Sequence, residues 1–512
     1  MGSHINKIFP DSGSEIYIPP TIYNLEIDMA ERKITPIDIV VIILLIVNIA
    51  VSAVAINTAS KAASMAVKAM EEISTLSEEV SSGFSDVMEG METLSEQMGE
   101  ITGTVAELTK APTPGEKFKL KEIKIGLVEP LTGGYAVFGT EAKQAAELII
   151  EDINNRGGIV NLKGAKLKLV VEDSKSTVDG AKLAAERLVH VEKVPIIVGA
   201  YISRHTGGML DITEPAKVIV VADALVDYLT EQGDYIFRVC PKNSAHAVTN
   251  VNFVYEMLRR AGIDPGTVRI AVLNEDSIFG KLGALAAMER AATLGMNVVD
   301  HIEYPWDIAD MTPIVSKLME EDIDIVIIHP YFGDALLFAK AVHDLGWKPM
   351  FIAGQGACGF ADPESIESGG ETVEYITQTY SYSWARNTAY NNWFVSEFEK
   401  RYGKKPTEAG GIVSYSLWTI KEVLELYGEM FPEDETLDPD HLRAAFMAVE
   451  ITSGPAADLY PTGHIEFDEV GDNAYGGAVV YQVIEGEAYL VWPMAGAQRE
   501  AVFPRPDWTS PS

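Results

Sequence analysis

Residues 121–130 read KEIKIGLVEP, and residues 166–173 read KLKLVVED, two short apolar runs of strand length. A helical pattern of about 17 residues separates them and ends at NRGG (155–158). A strand, a helix and a second strand in succession are typical of a βαβ unit, in which the two strands are parallel. The alternation continues through PIIVGA (195–200) and VIVVADA (218–224). We therefore predict a parallel, doubly wound α/β sheet.

A second series of strands follows the first, again with helical patterns between them. Its runs are RIAVLNED (269–276), VVDHIEYP (298–305), IDIVIIHP (323–330) and PMFIAGQ (349–355). The sequence thus predicts two Rossmann-like lobes. In such sheets ligands bind beyond the carboxyl ends of the strands. The residues directly after each strand are therefore the candidate site.

Those positions carry aromatic and small polar residues. They are Thr132 to Phe138, Tyr201 to Thr206, Asp223 to Leu225, Asp276 to Phe279, Tyr331 and Gln355. The chain has no nucleophile elbow, no H-E-x-x-H and no P-loop. Asp223 and Asp276 could form a carboxylate pair for hydrolysis, but no base, metal motif or nucleophile accompanies them. We predict a binding site without catalytic residues, in a protein that is not an enzyme.

The stretch GQGACG (354–359) fits the glycine pattern of dinucleotide-binding folds. That pattern also requires a helix that opens on its last glycine and an acidic residue about 20 positions further on. Here Pro363 and its acidic neighbours follow instead and prevent a helix from starting at Gly359. The nucleotide interpretation is therefore disfavoured, and we expect no cofactor.

The charge balance also restricts the partners. The 512 residues include 75 acidic and 40 basic side chains, a formal charge of -35 that would repel a phosphate backbone. We expect no nucleic-acid partner. Cys240 and Cys358 are the only cysteines, and no histidine pair has metal spacing, so we predict no metal site. The two cysteines are compatible with one disulfide, but two unpaired buried thiols are favoured.

The N-terminal part has a different character. An apolar run at 34–57 has the length of about 20 residues that a bilayer span requires. Arg32 and Lys33 precede it, so the positive-inside rule places residues 1–35 in the cytoplasm, a transmembrane helix at 36–57 and the remainder outside the cell. The alternative is a secretory signal cleaved near Ala53-Val54-Ala55.

Residues 58–110 show a heptad repeat with two interleaved apolar series. Because the second series is mostly Ile and Val rather than Leu, we predict a coiled-coil stalk that forms a homo-oligomer, either a trimer or a tetramer. The alternative is a single amphipathic helix that lies on its own globular domain. The two prolines and the glycine of the linker at 111–118 end the helix.

Several motifs together resemble the leucine/isoleucine/valine-binding family of ABC-importer solute-binding proteins, which have the type I periplasmic binding fold. They are VEPLTGGYAVFG (128–139), AAELIIEDINNRGGI (145–159), EDSIFGKLG (275–283) and PTGHIEFDEVGDN (461–473). The likeness extends from about residue 119 to 493. It implies two lobes around a hinged cleft, joined by crossovers near Val239-Cys240, Thr377–Tyr380 and Thr462–Asp468. Lobe 1 would comprise 119–239 and 380–461, lobe 2 would comprise 240–379 and 462–493, and 494–512 would form a tail.

The resemblance also implies roles for individual residues. Ser203 would hold a ligand carboxylate, which agrees with its position at a predicted helix N-terminus. Leu225 stands where the family has a threonine, and Gln355 where it has the glutamate that pairs with the ligand ammonium. Asp223 and Arg204 are then the nearest substitutes for the missing groups. The full predicted ligand site is Phe138, Tyr201, Ser203, Arg204, Asp223, Leu225, Phe279, Tyr331 and Gln355.

The sequence therefore predicts a membrane-anchored receptor that captures a small solute, an amino acid or an amide-like molecule, and delivers it to an ABC permease. A sensory or a structural cell-surface protein that uses the same fold is the alternative.

Overall fold

The computed structural model describes residues 114–356 and 358–506. The predicted cytoplasmic segment, membrane span and coiled coil, at 1–35, 36–57 and 58–110, lie outside these residues. Within the described ranges no helix combines the length and apolarity that a bilayer crossing requires.

The first lobe is built on a five-stranded parallel sheet with strand order β2-β1-β3-β4-β5. This order reverses direction between β1 and β3, which is the switch point where doubly wound sheets bind ligands. Its strands are β1 (Glu122–Glu129), β2 (Lys166–Asp173), β3 (Ile196–Gly199), β4 (Ile219–Val221) and β5 (Ile236–Phe237).

The second lobe repeats this order in a seven-stranded sheet, β14-β13-β10-β9-β8-β6-β7, in which β13 and β14 are antiparallel additions. The switch point here lies between β6 and β8. Its strands are β6 (Ile270–Glu275), β7 (Val298–Tyr304), β8 (Ile325–His329), β9 (Phe351–Gly354), β10 (Thr377–Tyr380), β13 (Val479–Ile484) and β14 (Glu487–Trp492). A separate antiparallel ribbon pairs β11 (Glu450–Ile451) with β12 (Ile465–Glu466).

Helices connect and cover the strands, as the alternating sequence predicts. In the first half they are α1 (Ala136–Asn155), α2 (Val178–Glu186), α3 (Ser203–Thr213), α4 (Asn243–Arg260), α5 (Ile278–Thr293) and α6 (Thr312–Glu320). In the second half they are α7 (Phe332–Asp344), α8 (Pro363–Gly369), α9 (Ala389–Tyr402), α10 (Glu408–Met430), α11 (Pro439–Ala448) and α12 (Gly454–Leu459). The predicted two-lobed α/β architecture is confirmed.

The core of the first lobe draws on two separate stretches of chain. One continuous cluster of buried apolar side chains joins residues between 118 and 240 with residues between 382 and 467. The seven-stranded sheet buries an apolar cluster on each face. The predicted second crossover, Thr377–Tyr380, is strand β10 of this sheet, and the chain leaves for α9 after it. Cys240 and Cys358 are both free and buried, as the sequence favours.

Arg238 anchors the first connection between the lobes. Its side chain is fully buried, and its Nε donates to Asp472 Oδ1 at 2.8 Å. Its guanidinium also donates to the backbone carbonyls of Ala224 and Val226. The Arg238 amide donates to Gly471. The first and third connections are thereby fixed to each other by one buried ion pair.

Helix α10 runs through the interior of the first lobe. Its first turn is satisfied by a carboxylate from α1, because Glu141 Oε1 accepts from the amides of Thr407 at 2.8 Å and Gly410 at 3.0 Å. At Gly411 a Cβ would lie 2.0 Å from the ring of Tyr382. Glycine is therefore the residue that allows the helix to approach this close.

Candidate functional site

Aromatic side chains from the two lobes meet where the carboxyl ends of the two sheets face each other. Tyr135 of lobe 1 lies 5.6 Å from Tyr331 of lobe 2, measured between ring centroids. Phe138 lies 6.3 Å from Phe332 in an edge-to-face pair and stacks on Tyr201 at 5.2 Å. Since these contacts span the cleft, the lobes are in a closed arrangement.

The predicted residues of lobe 1 lie around the ends of β3 and β4. Ser203 is the first residue of α3 rather than its cap, because the N-cap position is Ile202. The Ser203 hydroxyl accepts from the Val226 amide at 3.4 Å. The carbonyl of Leu225 accepts from the Asn243 amide at 2.7 Å, where α4 begins. Ser203 and Leu225 thus brace the segment that carries Asp223.

Arg204 and Asp223 occupy different environments, although the sequence places both beside Ser203. The Arg204 guanidinium lies 5.5 Å from the ring centroid of Trp306, which belongs to the second lobe. This is a cation–π contact across the cleft. Asp223 is 1% exposed, and its only side-chain partner among the described residues is the Glu129 carboxyl group. Arg204, the only cation of the predicted site, thus contacts a ring of the second lobe and forms no ion pair with Asp223.

In lobe 2, Ser277 positions the start of α5 by accepting from the Phe279 amide at 3.2 Å. Phe279 then contacts the rings of His329 at 4.3 Å and Tyr331 at 4.9 Å. At Gly356, where φ is +97°, a Cβ would meet both Phe279 and His329 at 3.0 Å. The glycine lets the loop turn directly over this aromatic cluster.

Gln355 follows β9 and is fully buried. Its side-chain Nε2 donates to the Gly283 carbonyl at 2.9 Å, which fixes the amide group against α5. Its Oε1 has no partner among the described residues. Gln355 therefore retains its Oε1 acceptor, and the contact with Gly283 uses one of its two N–H donors.

The glycine stretch 354–359 does not lead into a helix at its last glycine. Helix α8 begins only at Pro363, after the N-cap position Asp362. The Gly359 amide instead donates to Asp362 Oδ2 at 3.0 Å. The helix N-terminus that a pyrophosphate requires is absent from this described loop.

Three residues of the site were not predicted from the sequence, namely Glu129, Trp306 and His329, and Tyr135 was predicted only as part of the strand-end range Thr132 to Phe138. Glu129 and His329 are the last residues of β1 and β8, so they precede the positions that the strand-end rule selects. His329 is buried, and burial lowers its pKa to about 3, which keeps the ring neutral. Both are ionisable residues that directly follow an apolar run, GLV in β1 and IVII in β8, and this is the signal that could have identified them.

One group of potential metal ligands lies elsewhere in the described residues. Glu450, His464 and Glu466 come together on the β11–β12 ribbon, outside the cleft. His464 Nε2 lies 3.3 Å from the Glu450 carboxylate, and the imidazole ring stacks on Tyr475. An ion pair and a ring contact account for this arrangement.

Comparison with known proteins identifies the protein family. The sequence profile described as periplasmic binding protein matches residues 122–487. The chain belongs to the periplasmic binding protein family. It is accordingly a solute-binding protein and not an enzyme. The Leu/Ile/Val-binding protein homolog 7 of Brucella abortus (strain 2308) is 28% identical over 396 residues, covering 75% of this chain and 94% of that protein.

Solved structures of two solute-binding proteins share the fold. A leucine-binding protein from Thermotoga maritima MSB8 superimposes with a TM-score of 0.61 at 24% identity, covering 72% of this chain and 97% of its own. A solute-binding protein of an ABC transporter from Rhodopseudomonas palustris BisB5, in complex with 3,4-dihydroxybenzoic acid, gives 0.61 at 22% identity, covering 76% and 99%. At these identities the likeness establishes the two-lobed fold.

Proposed function

We propose that this protein is the membrane-anchored receptor of an ABC importer and that it holds an amino acid or a related small polar solute between its two lobes. The observation that carries the proposal is the lining of the cleft. Aromatic rings from both lobes meet in the cleft, and Asp223 and Gln355 lie at strand ends of the two sheets with acceptor oxygens that no N–H group of the described chain contacts. Such acceptors are suited to a solute that brings its own donors.

The names of its relatives support the same substrate range. One is called a Leu/Ile/Val-binding protein homolog, one is a leucine-binding protein, and one binds a hydroxylated benzoic acid. All of these ligands combine an apolar body with a charged group. The cleft described above, apolar at its walls and polar at the strand ends, suits a solute of that kind.

A thermal-shift screen of the purified full chain against amino acids, amides and small carboxylates tests the proposal. A ligand at 100 times its dissociation constant stabilises the protein by about 2.7 kcal/mol. Stabilisation by any one class supports a receptor, whereas the absence of a shift with every class contradicts it. Asp223→Asn should weaken binding of a zwitterion at least about tenfold, that is by about 1.4 kcal/mol. Gln355→Glu should instead impair binding of a neutral amide.

The membrane anchor and the stalk are part of this proposal. We infer that residues 36–57 span the membrane, that the binding domain lies outside, and that residues 58–110 join three or four copies. Analytical ultracentrifugation of a chain that begins at residue 58 should give a trimer or tetramer, and removal of 58–112 should give a monomer. A monomer in both cases contradicts the stalk.

A further inference from the structure

Two carboxyl groups lie together at the floor of the cleft. Glu129 ends β1, and Asp223 lies two residues beyond the end of β4. These strands flank β3 on either side, and the two side chains lie within hydrogen-bonding distance of each other. Glu129 is 0% exposed and Asp223 is 1% exposed. The pair is thus shielded from water on the ligand side of the sheet.

Neither carboxyl group is adequately satisfied by the described protein. Asp223 has only the neighbouring Glu129 carboxyl group as a side-chain partner there, and no N–H group donates to either Asp223 oxygen or to Glu129 Oε1. Glu129 Oε2 accepts only from the Tyr201 amide, at a long 3.4 Å. Nor does a lysine, arginine or histidine form an ion pair with either group within the described ranges. A buried charge without a partner is strongly disfavoured.

Another buried carboxylate shows how unusual this is. Glu275 also ends a strand, β6 of the second lobe, and is fully buried. It accepts from the Ser277 amide at 2.6 Å, the Ser277 hydroxyl at 2.6 Å and the Gly280 amide at 2.9 Å. The corresponding strand end of lobe 1 therefore lacks the donors that this fold is able to supply.

The protons on the pair follow from its surroundings. Burial raises the pKa of Asp223 to about 7. Burial, followed by the charge of Asp223, raises the pKa of Glu129 well above its usual range. Both pKa values are raised, so the pair retains a proton more readily than exposed carboxyl groups do, and one carboxyl group can then donate to the other. The pair then carries at most about one negative charge.

The other titratable groups that face the pair do not neutralise it. Asp223 interacts electrostatically with the buried Cys240 and with Tyr415 of α10, which are neutral near pH 7. Glu408, at the start of α10, interacts with the same two residues and is itself an acid. Arg238 lies on the Cys240 side, but Asp472 already pairs with its guanidinium at 2.6 Å.

Aromatic faces complete the surroundings. Tyr201, whose amide contacts Glu129, stacks on Phe138, and both rings are less than 10% exposed. Aromatic faces attract cations through their quadrupole, most strongly where water is excluded. The acidic oxygens complement the positive charge of an organic cation and accept from its N–H groups, and the aromatic faces stabilise the same charge. The described part of the chain itself places no cation beside these oxygens.

We propose that the solute of this receptor is a small organic cation, an amine or a guanidine, whose positive nitrogen binds to Glu129 and Asp223 beside Phe138 and Tyr201. This rests on the proposed function, because it requires the cleft to be the solute site. The proposal predicts that aromatic acids do not bind here, because the two acidic side chains would repel their carboxylate. The cation favours the ionised form of Asp223, so binding should release a proton where this carboxyl is still protonated, and the affinity should increase as the pH rises from 6 to 8.

Calorimetric titration of the full chain with n-butylamine, butylguanidine, leucine and 4-hydroxybenzoate tests this proposal. At least one of the two cations should bind, release protons in buffers of different ionisation enthalpy, and bind at least about tenfold more weakly to Asp223→Asn. Glu214→Gln is the control and should leave the affinity unchanged, because this carboxylate lies at the C-terminal end of α3 and accepts from the amides of Asp234 and Tyr235. Proton release when a cation binds the unaltered chain tests the role of the pair even if a variant fails to fold.

The other outcomes are distinguishable. Binding of leucine or 4-hydroxybenzoate without binding of either cation overturns the cation proposal and leaves the receptor function intact. Cation binding that is insensitive to pH and to both Asp223→Asn and Glu129→Gln shows that the pair is a structural hydrogen bond, which also overturns it. If none of the four probes binds and no solute of the wider screen stabilises the protein, both the cation proposal and the receptor function are contradicted.

Discussion

Single buried charges in this protein differ in whether they have partners, and Arg238 is the best satisfied of them. Replacing it by methionine leaves Asp472, which is 4% exposed, without its main counter-charge and removes donors from two buried carbonyls. We expect Arg238→Met to lower the free energy of unfolding by about 3–5 kcal/mol in chemical denaturation. Lys242→Met is the control, because its half-exposed ammonium lies 3.4 Å from the same carboxylate and should contribute less than about 1 kcal/mol. Equal effects of the two substitutions would contradict this account.

Asp362 provides a prediction of pH dependence. Burial raises the pKa of its carboxyl group to about 7, so the folded protein binds a proton there that the unfolded chain has already lost. The contribution of this group to stability is therefore complete below about pH 4 and is lost as the pH rises through about 7. Asn mimics the neutral acid and keeps an acceptor for the Gly359 amide. The advantage of Asp362→Asn over the unaltered chain should grow by up to about 1.4 kcal/mol per pH unit in this window. Denaturation curves at pH 5, 6 and 8 measure it, and a constant difference would exclude the effect.

At the scale of the element, helix α10 depends on glycine for its packing. A Cβ at Gly411 would overlap the buried Tyr382 ring, whose hydroxyl donates to Asn391 at 2.6 Å and cannot shift freely. Gly411→Ala should therefore destabilise the protein by about 1–3 kcal/mol, although alanine is the better helix former by about 1 kcal/mol. At Gly333 in α7 no atom lies within 4 Å of the added Cβ. Gly333→Ala should be neutral or slightly stabilising, and a similar loss at both positions would contradict the packing argument.

The elements also show what the sequence could and could not predict. Alternating apolar runs and helical patterns suffice for both sheets, because central strands such as β3, β4, β8 and β9 are buried on both faces and must be almost continuously apolar. The rule that ligands bind beyond the carboxyl ends of the strands then predicted Phe279, Tyr331 and Gln355 as site residues. The Arg204–Trp306 contact could not be found in this way, because the two residues belong to different lobes and only the closure brings them together. Glu129 was missed because an acidic residue at a strand end normally marks the start of a solvent-exposed loop.

At the scale of the whole molecule, the closed arrangement is held in part by Phe332, which contacts Phe138 from the opposite lobe. Such an aromatic pair contributes about 0.5–1.5 kcal/mol beyond its buried area. Phe332→Ala should therefore shift the population toward open molecules, and small-angle scattering of the unliganded protein should report a larger radius of gyration. Tyr228→Ala, at a half-exposed surface position of the first lobe, should leave the radius unchanged. An unchanged radius in both variants would mean that this contact does not hold the lobes together.

The divided core of the first lobe has a consequence for how the protein is made. Its buried cluster needs side chains from 118–240 and again from 382–467, with most of the second lobe encoded between them. A ribosome that has just completed the five-stranded sheet has not yet supplied helix α10, which fills one side of that sheet. The nascent chain must therefore carry exposed apolar surface until synthesis is nearly finished. Chaperone dependence during synthesis should consequently end abruptly, once residue 467 has left the exit tunnel.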